Sequence, residues 1–184
     1  MRNPVLLPVV TATVGFSVLQ ETIFELSQLW FVAVAAPLAL YGVFSAVIFS
    51  SWTTGGLLAS RIKSKAAIVS TMLLLIAMIV LLIISRNYIL VLIAQFTIAI
   101  CLVAIGVILS KKMHDKLPSR LRAGSSSVIS TLARIILIPS SLLITGIANT
   151  NGIFTATYVL LGIALIPAIA FIITVPANAH IHAR

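Results

Sequence analysis

Six apolar runs divide this chain, each about long enough to cross a bilayer, and no water-soluble fold can bury them all. A helix needs ~20 apolar residues to span a hydrocarbon layer ~30 Å thick. Runs of that kind occupy residues 5–24, 38–59, 66–85, 88–109, 125–147 and 153–175. Of the 184 residues, 8% are charged and 61% hydrophobic, whereas a soluble domain carries about 25% charge to cover its surface. The sequence therefore predicts an all-α membrane protein, a single six-helix domain over residues 1–184 with the lipid bilayer as its solvent.

The breaks between runs carry stop signals. They are Arg61-Ile62-Lys63-Ser64-Lys65, Arg86-Asn87, the charged stretch 111–122, and Asn149-Thr150-Asn151-Gly152. Residues 25–37 admit three readings: the end of the first helix, a short interfacial helix, or the start of the second. Lysines and arginines fall on alternate breaks. Arg2, Arg61, Lys63, Lys65, Lys111, Lys112, Lys116, Arg120, Arg122 and Arg184 lie on one side, and Arg86 lies on the other. Positive loops are retained inside, so both termini are expected in the cytoplasm and the protein in the cell (inner) membrane.

The same distribution argues against a nucleic-acid partner. The net charge of +9 is spread between apolar runs and forms no basic face. Enzyme and cofactor signatures are lacking: no phosphate-cradling glycine loop with lysine, no HExxH, no serine–histidine pairing within spans. Cys101 is the single cysteine and reads as a small core residue. His114 lies in a charged loop and His180 and His182 in the tail, where solvation is expected rather than a metal. No enzyme activity, cofactor or metal is predicted.

The runs differ in polarity. The third and sixth are nearly bare, as lipid-facing helices are. The first, second, fourth and fifth carry Gln20 and Glu21, then Tyr41, Ser45 and Trp52, then Gln95, then Arg134. This division suggests two three-helix repeats of the inverted kind found in transporters, although no residue-by-residue repeat supports it.

Arg134 is the sharpest candidate. It lies about eleven residues into the fifth run, ~16 Å deep at 1.5 Å per residue. A mid-membrane arginine costs several kcal/mol unless it faces water or a partner. Ser127, Ser130, Thr131, Ser141 and Thr145 fall near the same face, so one polar stripe lining a cavity accounts for all six; the alternative is an arginine locked to helix-end carbonyls or to a missing half of the bundle. Glu21 and Glu25 share a face with Gln28. Measured from Val5, Glu21 is placed ~24 Å from the cytoplasmic face, toward the outer rim. Solvation there, binding of a cation or proton, and pairing with Arg134 are all open to these acids. Gln95 suits a cavity or a helix–helix contact. Tyr41, Ser45, Trp52 and Gly56 lie near one face of the second helix, at a spacing suited to packing or to a path. Pro139 and Pro167 are expected to kink or loosen their helices.

Two loops carry a family resemblance. Gly55-Gly56-Leu57-Leu58-Ala59-Ser60-Arg61-Ile62-Lys63-Ser64-Lys65 resembles the degenerate second copy of the loop signature of the major facilitator superfamily. Ser60 stands where the fuller signature has an acid, and Lys63 where it has a second glycine. Leu117-Pro118-Ser119-Arg120-Leu121-Arg122-Ala123-Gly124-Ser125 resembles the segment leading into that family's eleventh helix. With six helices and bare third and sixth spans, nearly the whole chain resembles the family's C-terminal half. The resemblance implies half of a major-facilitator-type bundle and a permease-like secondary carrier that moves a small solute by alternating access. It assigns Gly56, Arg61, Lys63 and Lys65 to a cytoplasmic loop motif. It also implies that the chain is a fragment or a half that must pair, with a missing N-terminal six-helix half or with a second copy. A rival class is a membrane subunit or truncated product that only packs against partner helices.

Overall fold

The computed structural model describes residues 6–117 and 119–174. Arg2, Val5, Pro118, Val175, His180, His182 and Arg184 lie outside the described residues, as do the side chains of Lys116 and Arg120. The described residues form six α-helices and no strand. The helices are α1 (Leu6–Ala33), α2 (Tyr41–Arg61), α3 (Lys65–Ile84), α4 (Tyr88–Lys116), α5 (Ser119–Asn151) and α6 (Ile153–Thr174). All six are long and apolar enough to cross a membrane, which makes this a multi-pass membrane protein.

The boundaries follow from local chemistry. Ser64 caps α3 by accepting from the Ala67 N–H at 3.1 Å. Asn87 caps α4 by accepting from the N–H groups of Ile89 and Leu90 at 2.8 and 3.4 Å. Each cap satisfies donors that a helix start leaves open. Gly152, at φ 84°, ends α5 in the left-handed conformation that glycine adopts without strain.

Residues 25–37 resolve in favour of the first reading. α1 continues nine residues past Phe24 to Ala33, and a single 3-10 turn, Leu38–Leu40, leads into α2. Glu25 and Gln28 are exposed on one flank, while Ser27, Trp30 and Phe31 on the other are buried. The charged stretch 111–122 is also mostly helical. Lys111–Lys116 extends α4, and α5 begins at Ser119. Helices that outrun the hydrocarbon carry their charges into the headgroup region without breaking.

Ala35 closes α1 at φ 51°. The Ala36 N–H donates to the Phe31 carbonyl at 2.9 Å and that of Ala35 to Val32 at 3.0 Å, a six-to-one closure that normally employs glycine. An alanine there carries a left-handed penalty of about 1 kcal/mol. Ala35→Gly is expected to recover most of it, raising the thermal midpoint in detergent by about 2–4 °C. An unchanged or lowered midpoint would count against a strained cap.

α1 and α4 form the central pair. α1 packs on α4, α5 and α6, and α4 on α1, α2 and α3, while α3 and α6 pack on each other behind them. Small residues set the closest approaches. A β-carbon on Gly55 of α2 would come within 2.7 Å of Val103 Cβ and 2.9 Å of the Ile100 carbonyl oxygen of α4. One on Gly15 of α1 would meet the Pro167 ring of α6 at 3.0 Å. Pro167 is thus a packing surface inside a continuous α6, and α5 is likewise continuous through Pro139.

The polar anchors are few and specific. Trp30 Nε1 of α1 donates to Thr157 Oγ1 of α6 at 3.0 Å, and that hydroxyl donates onward to the Ile153 carbonyl at 2.8 Å. Arg86 donates to the Ile83 and Ser85 carbonyls at 2.7 and 2.9 Å, closing the end of α3. Its guanidinium lies 3.7 Å above the centre of the Phe154 ring of α6. At the opposite end, Lys65 Nζ of α3 donates to the Ile172 carbonyl of α6 at 3.3 Å.

Candidate functional site

The exposed side of α1, with α2 on one flank and α5 on the other, gathers most of the polar chemistry of the spans. On α1, Val9, Val14 and Val18 belong to a small apolar cluster with Ile129, Ala133 and Leu137 of α5. At 100° per residue, Glu21 and Glu25 continue the Val14–Val18 stripe and so lie on the α5 flank. Gln20 falls on the other flank, toward α2.

That second flank holds a cleft of about 490 Å³. Thr13, Ser17 and Gln20 of α1 face Trp52 and Gly56 of α2 across it, and Gly106 and Ser110 of α4 form part of its floor. Trp52 is more than half exposed and sits edge-on to Phe24 with ring centres 5.8 Å apart. Phe49 stacks on the same Phe24 at 5.8 Å. The side of Gly56 is open, with no atom within 4 Å of the place a β-carbon would take. Nearer the basic end, Gly56 also borders a second cleft of about 320 Å³, lined by Ser60, Lys63, Lys111, Lys112 and Asp115. The two clefts share Gly56 and Val107 and make one groove along α2 and α4, polar midway and basic at its end.

Arg134 projects from the exposed side of α5 with Ser127, Ser130 and Thr131. Around α5 the buried positions Ile129, Ala133 and Leu137 face α1, and the Arg134 stripe begins at their edge. The strongly exposed Ile138, one turn beyond Arg134, shares its stripe, and Ile135 and Leu142 occupy the far side. Because α1 and α5 both run away from the basic end, this edge turns to the same side as Glu21 and Glu25. The small apolar cluster sets Val14 and Val18 of α1 beside Ala133 and Leu137 of α5, so Arg134 lies level with that stripe and Glu21 between one and two turns further from the basic end. α1 runs on for twelve residues past Glu21 to Ala33, with Glu25 one turn beyond Glu21. Among the described residues, none of these three side chains has a hydrogen bond or ion pair.

The structure separates the remaining candidates. Gln95 is fully buried and donates from Nε2 to the Ser27 carbonyl at 3.1 Å; it joins α4 to α1 and does not reach the groove. Tyr41 is half-buried against Phe31, ring centres 6.3 Å apart, away from the cleft lining. Arg61 and Lys63 are exposed, Arg61 in the last turn of α2, where a cation suits the helix dipole. Lys65 holds α6 as described. Sequence reading passed over Thr13, Ser17, Gly106 and Ser110 as site residues. Ser17 is four residues from Glu21, between the two flanks of α1, a signal available in the spacing. Gly106 and Ser110 carry no such signal, since only the packing of α4 behind α1 and α2 exposes them.

No protein-family model matches the chain, and no curated protein and no solved structure matches it.

Proposed function

We propose that this chain is one six-helix wall of a secondary carrier that moves a small solute across the cell membrane by alternating access. The observation that carries the reading is the open face itself. Two carboxylates and a guanidinium within the candidate spanning helices have no partner among the described residues, beside a polar groove that runs to a lysine-lined end. Groups that costly in hydrocarbon point to water, to a substrate or to a companion. Placing the basic end in the cytoplasm follows the positive-inside preference.

The helix neighbours support a half-bundle of the major facilitator type. Exchanging α1 with α4, α2 with α5 and α3 with α6 turns α1–α6 packing into α4–α3 and α1–α5 into α4–α2, and leaves α1–α4 and α3–α6 unchanged. That is the neighbour pattern of two inverted triplets. The packing of α5 on α6 and a slight contact of α1 with α2 are the exceptions. In this reading the groove is the solute path, Trp52 and Gln20 contact the solute, and Arg134 balances an anionic group. A companion supplies the opposite wall.

Uptake into proteoliposomes tests it, with labelled sugars, amino acids and organic acids as probes. One class is expected to enter faster than in empty vesicles, with the rate falling about tenfold or more in Arg134→Ala. Uptake equal to empty vesicles, for the chain alone and with a companion half, would remove the carrier reading. Unchanged uptake in the mutant would remove Arg134 from the path.

A further inference from the structure

The groove on the α2 flank joins two different chemistries in one continuous space. Its cleft of about 490 Å³ has the size of a small-molecule site, and no charged side chain lines it among the described residues. Ser17 and Gln20 of α1 and Ser110 of α4 face this cleft, and their side chains make no hydrogen bond among the described residues. By contrast, Thr13 and Thr22 turn their hydroxyls back on the carbonyls of Val9 and Val18. Across the cleft stands the indole of Trp52, set against Phe24 and more than half exposed. Unspent donors and acceptors beside an aromatic ring suit a hydroxylated body. Its C–H surface lies on the indole while its hydroxyls bond to the amide and the serines.

The adjoining cleft of about 320 Å³ begins at Gly56 and Val107 and is basic. Lys63, just after α2, and Lys111 and Lys112 of α4 line it with a single acid, Asp115. Lys112 is engaged with the Phe171 ring, 4.9 Å from its centre. Lys63 and Lys111 are exposed and make no ion pair among the described residues. Retention of positive charge in the cytoplasm accounts for lysines at this end, but not for two elements turning theirs to one cleft. Arg61, two residues before Lys63, lines a separate depression with Thr54 and Leu57. Along α2, Trp52 to Gly56 and Gly56 to Ser60 are each about one turn, ~6 Å, so one small molecule reaches from the indole into the lysine cleft. From this we infer that the solute is a hydroxylated organic anion. Its neutral body rests on Trp52 beside Gln20, and its phosphate or carboxylate lies between Lys63 and Lys111. The inference rests on the groove's being the solute path and names the solute's class. Arg134 keeps its place as a countercharge within the span, and the lysines form a second station at the basic end.

The test is binding to the full chain in lipid nanodiscs, read from the emission of Trp52. A Trp30→Phe background leaves Trp52 as the one remaining tryptophan; if that variant unfolds, the wild type with Trp52→Phe as blank gives the same reading. The probes are hexose and triose phosphates, uronic and hydroxy acids, the matching neutral sugars, and inorganic phosphate. At least one of the acids is expected to shift the emission, binding about tenfold or more tightly than its neutral counterpart and than inorganic phosphate. Response to the phosphates alone assigns a phosphate, and response to the carboxylates alone a carboxylate. Lys63→Gln with Lys111→Gln should weaken the acid about tenfold and leave the neutral sugar as it was, whereas Arg61→Gln should change neither. Circular dichroism of each variant monitors folding. Silence from every acid would overturn the proposal, as would equal binding of the neutral sugar or of inorganic phosphate. Lysine variants that bind like the wild type, or an equal loss in Arg61→Gln, would overturn it too. Binding of the expected selectivity without uptake into vesicles would keep the ligand class and remove the carrier function. Uptake of neutral sugars alone would keep the carrier and overturn this inference.

Discussion

Trp30→Ala is expected to cost about 3–5 kcal/mol, the largest loss of any single truncation in this bundle. The indole is fully buried between α1 and α6, and its N–H is satisfied by Thr157 Oγ1 at 3.0 Å. Truncation removes the apolar volume, leaves a cavity that neighbouring side chains only partly fill, and unpairs one helix contact. Trp30→Phe separates these contributions. It keeps most of the volume but loses the donor, while Thr157 retains its bond to the Ile153 carbonyl, so about 1–2 kcal/mol is expected. Thermal unfolding in detergent, followed by far-ultraviolet circular dichroism, should show a midpoint about 10 °C lower for the alanine variant. A shift no larger than that of the phenylalanine variant would mean that packing around Trp30 contributes little.

Gly55 and Gly56 give the second large effect as a contrast between neighbours. At Gly55 an added methyl would approach Val103 Cβ and a backbone oxygen of α4 below 3.0 Å, so α2 must move. Gly55→Ala is expected to destabilise by about 1–3 kcal/mol, and Gly55→Leu by about 3 kcal/mol or more. Gly56→Ala fills open space and lies within a helix, so its effect on unfolding should be small or slightly stabilising. Equal unfolding midpoints for the two alanine variants would contradict the close α2–α4 approach. If Gly56 borders a solute path, its alanine variant should alter uptake while leaving stability in place.

The six helices were legible because lipid enforces a simple rule. Long apolar runs interrupted by Arg61–Lys65, Arg86-Asn87 and Gly152 have few alternatives, and capping by Ser64 and Asn87 agrees with those breaks. What escaped was the length of α1. Glu21, Glu25, Ser27 and Gln28 dilute its hydropathy, and nothing local announces that Trp30 and Phe31 beyond them are buried. The polar face of α5 was readable from its spacing alone, because Ser127, Ser130 and Arg134 recur at helical intervals. Gln95 was not separable from a groove residue by sequence. A buried amide bridging two helices and an amide lining a path have the same composition and depth. Only the neighbour, here the Ser27 carbonyl, distinguishes them.

The two long-side-chain contacts between α3 and α6 lie at opposite ends of those helices. Lys65 holds the Ile172 carbonyl at one end, and Arg86 lies on the Phe154 ring at the other. A pair of antiparallel rods riveted at both tips can neither slide lengthwise nor splay without breaking one rivet. The back of the bundle is therefore a splint. Whatever bending accompanies the protein's work is left to α2 and α5, which carry no such pair of fastenings among the described residues, and spin labels placed along α3 and α6 should report one fixed spacing throughout.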